Sequence, residues 1–315
     1  MTPFVSIILP VKNEKFFIER CLGALQAIEY PRERYEIIVV DNGSTDATVA
    51  IAESHGASVY IQPDLTIAGL RNYGADVARG DVVAFLDADV VVAPEWLRNG
   101  VAVLQEVGVG CAGCSPDIPV NSTWVERIWS LHGCSRPDKC DREWIASMNL
   151  LVWKRCFDEI NGFNVNLRTC EDVDFGYRFT KNYRIVSDKK IKAVHFGEAK
   201  TLLQLFKKES WRGISNFHGI QSHGIILKEM PSHILATYYF LLLTCFPLMA
   251  LKGLYVACAM VALPAIAFPL CRSLGISIRL RQTRYLAGSF VIWMVYGFAR
   301  GWSVWRAMAA HHERT

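Results

Sequence analysis

The chain has 315 residues, a formal net charge of +4 and 51% hydrophobic side chains, with a mean hydropathy of +0.19. That length suits one large domain or two smaller ones, and the mild charge, with no Lys/Arg block interleaved with aromatics, excludes nucleic acid as a partner. The segment MTPFVSIILPVKNE has neither the basic region nor the small-residue cleavage site of a secretory signal.

In chain order, the apolar run FVSIIL at 4–9 predicts a first strand ended by Pro10. Phe17, Cys21, Leu22, Leu25 and Ile28 then recur at helical spacing. A second strand is predicted over 35–40, and in the DNGSTDAT that follows, Ser44 or Asp46 can cap a helix containing Val49, Ala50 and Ala52. A strand over 58–62, a helix over 68–78 and a strand over 82–86 continue the pattern. A helix from Trp96 to Glu106 and a strand from Gly108 to Ser115 come next. Residues 121–145 read as an irregular region rich in Trp and Cys, before a strand over 146–153 and a short helix ended by Gly162. Glu171-Asp172-Val173-Asp174 opens a further helix, whose exposed amides favour acidic side chains. Strand and helix alternating at this interval predict an α/β fold with an open, mainly parallel sheet and helices on both faces. In such folds ligands bind at the carboxyl ends of the strands.

The run DVVAFLDADVVV at 81–92 is apolar up to Asp87-Ala88-Asp89. Burying an ionised carboxylate costs several kcal/mol unless cations or donors compensate. Two of them at a strand's end, two residues apart, are expected to point the same way on the pleat, and a divalent metal explains their convergence.

Past residue 230 the composition changes. Three apolar segments, 234–251, 254–271 and 285–299, follow, with Lys252 the only charged residue from 234 until Arg272. The first two approach the ~20 residues needed to cross a bilayer and suit a helical hairpin, with Pro247, Pro264 and Pro269 tolerable there. The third runs into Arg300, Trp302, Trp305 and Arg306, a mix that spans or lies at an interface. The alternative is a buried hairpin in a soluble domain. Arg272, Arg279, Arg281 and Arg284 lie between apolar segments, which places them, and the large domain, on the cytoplasmic side of the inner cell membrane. The expected division is a catalytic domain over 1–230 and membrane-associated helices over 231–315. Cys111-Ala-Gly-Cys114 with Cys134 and Cys140 departs from common zinc-ribbon spacing, so reduced cysteines are expected. Asn121-Ser-Thr is formally a glycosylation sequon that a cytoplasmic domain would not use.

The polar clusters PVKNE (10–14), VVDNGSTDAT (39–48), GLRNYGADVARGDVVAFLDAD (69–89), NGFN (161–164) and TCEDVDFGYRF (169–179), in that order, resemble the family 2 glycosyltransferases of the GT-A fold. The resemblance covers residues 1 to about 200. It implies a Rossmann-like nucleotide-binding half joined to an acceptor-binding half, and a nucleotide-diphosphate sugar as donor. By the same resemblance, Asp41 contacts the nucleobase, Pro10, Asn13 and Glu14 lie along the nucleoside, Arg71 lies near the nucleotide and Asp87 near the ribose. Asp89 is implied as the direct ligand of Mg2+ or Mn2+, with His195 touching the metal or diphosphate or else serving a structural role. Asp172 is implied as the catalytic base of an inverting transfer, with Glu171 and Asp174 as weaker candidates. QLFKKESWRG at 204–213 is a loose version of the QxxRW element of processive relatives, in which Arg212 could bind phosphate. The apolar tail points to a lipid-linked or membrane-proximal saccharide acceptor. The competing readings are a polyprenyl-phosphate glycosyl synthase and a non-catalytic nucleotide-binding membrane scaffold.

Overall fold

The computed structural model describes residues 2–131, 137–215 and 230–312. The chain divides into two compact units, Met1–Pro119 with Arg136–Gly197, and Val120–Ser135 with Glu198–Thr315. The strands in chain order are β1 (Val5–Val11), β2 (Tyr35–Asp41), β3 (Ser58–Ile61), β4 (Val82–Leu86), β5 (Val90–Val92), β6 (Val109–Gly113), β7 (Lys139–Arg142), β8 (Asn149–Trp153), β9 (Arg184–Asp188) and β10 (Ala193–His195). The helices are α1 (Ile18–Gln26), α2 (Thr48–Ser54), α3 (Ile67–Val77), α4 (Trp96–Leu104), α5 (Trp124–Ser130), α6 (Lys154–Glu159), α7 (Glu171–Phe179), α8 (Leu202–Arg212), α9 (Met230–Leu251), α10 (Tyr255–Leu280) and α11 (Leu286–His312).

In the first unit an eight-stranded sheet runs in the order β3-β2-β1-β4-β8-β6-β9-β7. The first four strands are mutually parallel, as are β6 and β9, while β8 and β7 run against their neighbours. β5 and β10 form a separate antiparallel ribbon. β4 is apolar throughout, and β1 is so apart from Ser6, because both faces are covered. Val5, Ile7 and Leu9 of β1, with Val82, Ala84 and Leu86 of β4, pack with α1 and α4. Ile8, Val83 and Phe85 point the other way, towards α3, α6 and α7. The expected α/β architecture is therefore the observed one, a mainly parallel mixed sheet with helices on both faces. β1 passes through Pro10 instead of ending there. Its pairing with β4 covers only Val5–Ile8, and Asn42 N–H donates to Val11 O (2.8 Å) on the β2 side. The missing donor of Pro10 thus falls on the side that β4 has already left.

In the second unit, Val125 and Ile128 of α5, Leu205 of α8 and Ile292 of α11 share a buried cluster. α9 and α10 are long and apolar enough to cross a membrane, and only 22% of each apolar window is buried. Leu251, Tyr255, Val256, Leu263 and Ile278 are exposed, which runs against the buried-hairpin alternative. α11 meets α9 at Gly297 and Gly301, where an added Cβ would lie 2.3 and 2.6 Å from atoms of Tyr239. Small residues four apart let two helices approach this closely. The Tyr239 hydroxyl donates to Ala265 O (2.9 Å), the carbonyl four residues before Pro269, which has no N–H to offer it.

Candidate active site

Three strand-end loops of the first unit are tied together. After β1, Asn13 takes a left-handed conformation (φ +57°), donates its N–H to Ser44 Oγ (2.8 Å) and accepts from Thr45 N–H at Oδ1 (2.9 Å). Glu14 N–H donates to Thr48 Oγ1 (2.8 Å). After β2, Asp41 is 1% exposed, and its two oxygens accept from the backbone N–H and the hydroxyl of Ser44. A carboxylate has further lone pairs, so the nucleobase contact expected of Asp41 would add to these bonds. Asn42 Nδ2 lies 3.0 Å from the carbonyls of Gln62, Pro63 and Leu65, which brings in the loop after β3. Asp46 accepts from Thr48 N–H (3.0 Å) at the start of α2, the capping role expected of it, although Ala47 holds the N-cap position.

The Asp87-Ala88-Asp89 segment is not pleated. β4 stops at Leu86 and a turn follows, closed by Val90 N–H donating to Asp87 O (3.1 Å), before β5 begins. The two carboxylates therefore have different partners. Asp87 Oδ1 accepts from Arg71 Nη2 (2.8 Å). Asp89 Oδ2 lies 3.0 Å from His195 Nε2, on the strand β10 that pairs with β5. Asp89 Oδ1 is buried without a hydrogen-bond partner. Gly197 closes this corner, since a Cβ there would fall 1.8 Å from Asp89 Oδ2 and 3.0 Å from His195 Nε2.

Arg71, only 3% exposed, donates through Nη1 to Glu171 Oε1 (2.7 Å) at the start of α7. Asp172 follows, with Oδ1 accepting from Val173 N–H (2.9 Å). Asp174, fully buried, pairs with Arg178 (2.8 Å), so the two acidic neighbours of Asp172 are both held by arginines. The site's electrostatics record the crowding of negative charge. Burial, then Asp89, Asp87 and Asp46, push the Glu14 carboxyl up to about 7. Burial and the charges of Asp89 and Asp87 push the Cys21 thiol, fully buried, upward. Burial works against the Arg71 cation, but Asp87, Glu171 and Asp172 hold its value above the ordinary one.

Pro10, Asn13, Glu14, Asp41, Arg71, Asp87, Asp89, Asp172 and His195 thus all lie in the first unit, most of them linked through the contacts above. Arg212 lies in the second, donating through Nη1 to Glu209 (2.7 Å), a buried acid that also accepts from Arg300 (2.9 Å). Cys111, Cys114 and Cys140 are free thiols, and Cys134 is outside the described residues. Among the described residues no group of three or more His, Cys, Asp or Glu side chains is arranged to hold a metal. The orphaned Asp89 Oδ1 nevertheless fits one hard-cation ligand, the remainder coming from water or phosphate oxygen, as is usual for Mg2+.

Residues 6–150 match the model described as Glycosyl transferase family 2. Over that stretch, a little under half of its length, the chain is similar to the family 2 glycosyltransferases. It is 32% identical over 188 residues to Glycosyltransferase AglE of Haloferax volcanii, a match covering 56% of this chain and 62% of that protein. It is 36% identical over 115 residues to the undecaprenyl-phosphate 4-deoxy-4-formamido-L-arabinose transferase of Shewanella sediminis, covering 33% of this chain and 34% of the relative. The chain therefore matches less than two thirds of either curated relative. The mannosyltransferase PcManGT of Pyrobaculum calidifontis, solved with GDP-Man and Mn2+, superposes with a TM-score of 0.63 at 17% identity, covering 98% of this chain and 88% of that one. At that identity the likeness establishes the GT-A fold. Two features of the first unit do not stand out from sequence: Asn72, which clamps Phe163 by two hydrogen bonds, and the crowding at Gly197. The pairing of Arg71 with Asn72 on the helix beside the site is the available signal for the first; no local pattern marks the second.

Proposed function

We propose that the chain is a membrane-associated, metal-dependent inverting glycosyltransferase, moving a sugar from a nucleotide diphosphate to the hydroxyl of a lipid-linked or membrane-proximal saccharide. The observation that carries this reading is the division of labour among the carboxylates. Asp89 keeps a buried oxygen without a partner, Asp87 is neutralised by Arg71, and Asp172 lies beside the same arginine's second partner. Asp41, Asn13 and Glu14 line the nucleoside side, and Asp87 approaches the ribose. Asp89, with His195 beside it, would hold Mg2+ or Mn2+, and the cation would supply positive charge to offset the departing diphosphate. Asp172 takes the proton from the acceptor hydroxyl as that oxygen attacks the anomeric carbon from the face opposite the leaving group. The new C–O bond forms as the bond to the diphosphate oxygen breaks, and a single displacement inverts the configuration. General base catalysis of this kind is worth roughly 100- to 10,000-fold. The GDP-Man and Mn2+ bound by the Pyrobaculum mannosyltransferase support the donor class and the cation. The exposed apolar helices α9 and α10 support a membrane location, and the arginines at 272, 279, 281 and 284 are the reason for putting the catalytic unit on the cytoplasmic side.

The name of the Shewanella relative, which specifies undecaprenyl phosphate, favours a second reading in which a polyprenyl phosphate attacks directly. Product analysis after incubation with nucleotide sugars, Mn2+ and lipid extract separates the two. A glycosidic bond of inverted configuration supports the first reading, a sugar phosphodiester the second, and no product with no donor binding leaves the scaffold reading.

A further inference from the structure

We propose that Arg71 is a positioning residue whose guanidinium sets the spacing between the aspartate turn at 87–89 and the helix that carries Asp172. The proposal rests on the donor and base roles given above. Arg71 is 3% exposed, with one terminal nitrogen 2.8 Å from Asp87 and the other 2.7 Å from Glu171. These partners come from segments far apart in the chain, and both engage this side chain. A planar guanidinium presents its two nitrogens at a fixed separation, which the point charge of a lysine does not.

The rest of α3 and α7 stiffens the same frame. Asn72, the next residue, donates to Phe163 O (2.8 Å) and accepts from Phe163 N–H (2.9 Å), while the Phe163 ring lies 5.8 Å from the Arg71 guanidinium carbon. On the other side Arg178 of α7 donates to Ile160 O (2.7 Å) and Gly162 O (2.8 Å) and pairs with Asp174. Asp172 lies between two acids, Glu171 and Asp174, that this frame fixes. A displacement of the aspartate turn on donor binding is carried through Arg71 to the N-terminus of α7, and a change at Glu171 is carried back to Asp87.

The test compares Asp87→Asn, Glu171→Gln and Arg71→Lys in the full chain by amide hydrogen exchange without ligand, and by steady-state kinetics with nucleotide sugar and Mn2+. Asp87→Asn and Glu171→Gln are near-isosteric and keep the test open if Arg71→Lys does not fold. The expected result is reciprocal. Glu171→Gln speeds exchange at 88–90 and raises the donor KM at least threefold, although Glu171 lies on the base side; Asp87→Asn speeds exchange at 171–174. Arg71→Lys lowers kcat/KM at least tenfold despite retaining the charge. If each substitution disturbs only its own segment and Arg71→Lys stays within twofold of wild type, the proposal is overturned. Reciprocal exchange in a protein that binds no nucleotide sugar would support the frame and reject the donor reading instead.

Discussion

Glu14 is half-buried beside Asp89 and Asp87, and its carboxyl is raised from 4.5 to about 7 by burial and those charges. The folded protein therefore holds this proton more tightly than the unfolded chain. The resulting stabilisation is full below about pH 4.5 and is lost as pH rises through about 7. Thermal unfolding of the metal-free protein should show Glu14→Gln gaining stability relative to wild type between pH 5 and pH 8; a constant difference would contradict the assignment. Gly197 allows a second prediction. A Cβ 1.8 Å from Asp89 Oδ2 cannot be accommodated without moving the carboxylate, and overpacking of this kind costs about 1–3 kcal/mol. Gly197→Ala should weaken Mn2+-dependent donor binding at least tenfold by calorimetry while the protein still folds, whereas unchanged binding would show that the crowded corner is not part of the metal site. At this scale the sequence is readable for the identity of the acidic residues and less so for their geometry. The pleat of a strand predicts Asp87 and Asp89 on one face, but β4 ends at Leu86 and the turn sends each to its own cation or imidazole. Resemblance places Arg71 near the nucleotide, and only the fold shows that Asp87 and Glu171 both engage it.

Among the elements, strands buried on both faces leave the clearest mark, because the runs at 5–11, 35–41 and 82–86 are mostly apolar and rich in β-branched residues on both faces. The three-residue strands β5 and β10 leave none, since their pairing joins segments about 100 residues apart. The region 121–145 reads as irregular from sequence, yet α5 lies in it with a complete capping box, Thr123 and Glu126 each satisfying the other's backbone. The signature Thr-x-x-Glu is present in the sequence and is hidden by the aromatic residues around it. In the membrane-like helices, Tyr239 satisfies the carbonyl that Pro269 leaves without its helical donor. Tyr239→Phe keeps the ring between Gly297 and Gly301 but removes this bond, and a loss of about 1 kcal/mol is expected. Unfolding in detergent checks this; no loss would mean that the Ala265 carbonyl finds another donor.

For the whole molecule, residues 231–312 contain no Asp or Glu, while Arg272, Arg279, Arg281 and Arg284 cluster between the last apolar segments. If α9 and α10 cross the bilayer as a hairpin, this basic stretch marks the cytoplasmic end. A cysteine placed at Thr283, above the background of native thiols, should react with an impermeant maleimide in inverted membrane vesicles and not in intact cells; the reverse would invert the topology. The α/β order is legible because strand and helix alternate at a regular interval, and the composition shift near residue 230 marks the start of the apolar helices. Which parts pack together is not legible. α5 and α8 share a cluster with α11, so the compact units of the structure cut across the chain at 120, 136 and 198, through contacts that no local pattern encodes. Two carboxylates with separable tasks stand at the centre of the proposed reaction. Calorimetry and turnover with nucleotide sugars and Mn2+, on wild type, Asp89→Ala and Asp172→Asn, test this most directly. The prediction is that Asp89→Ala loses metal-dependent donor binding, while Asp172→Asn binds donor as wild type does and loses roughly 100-fold or more in transfer. Equal binding and turnover in all three proteins would contradict it.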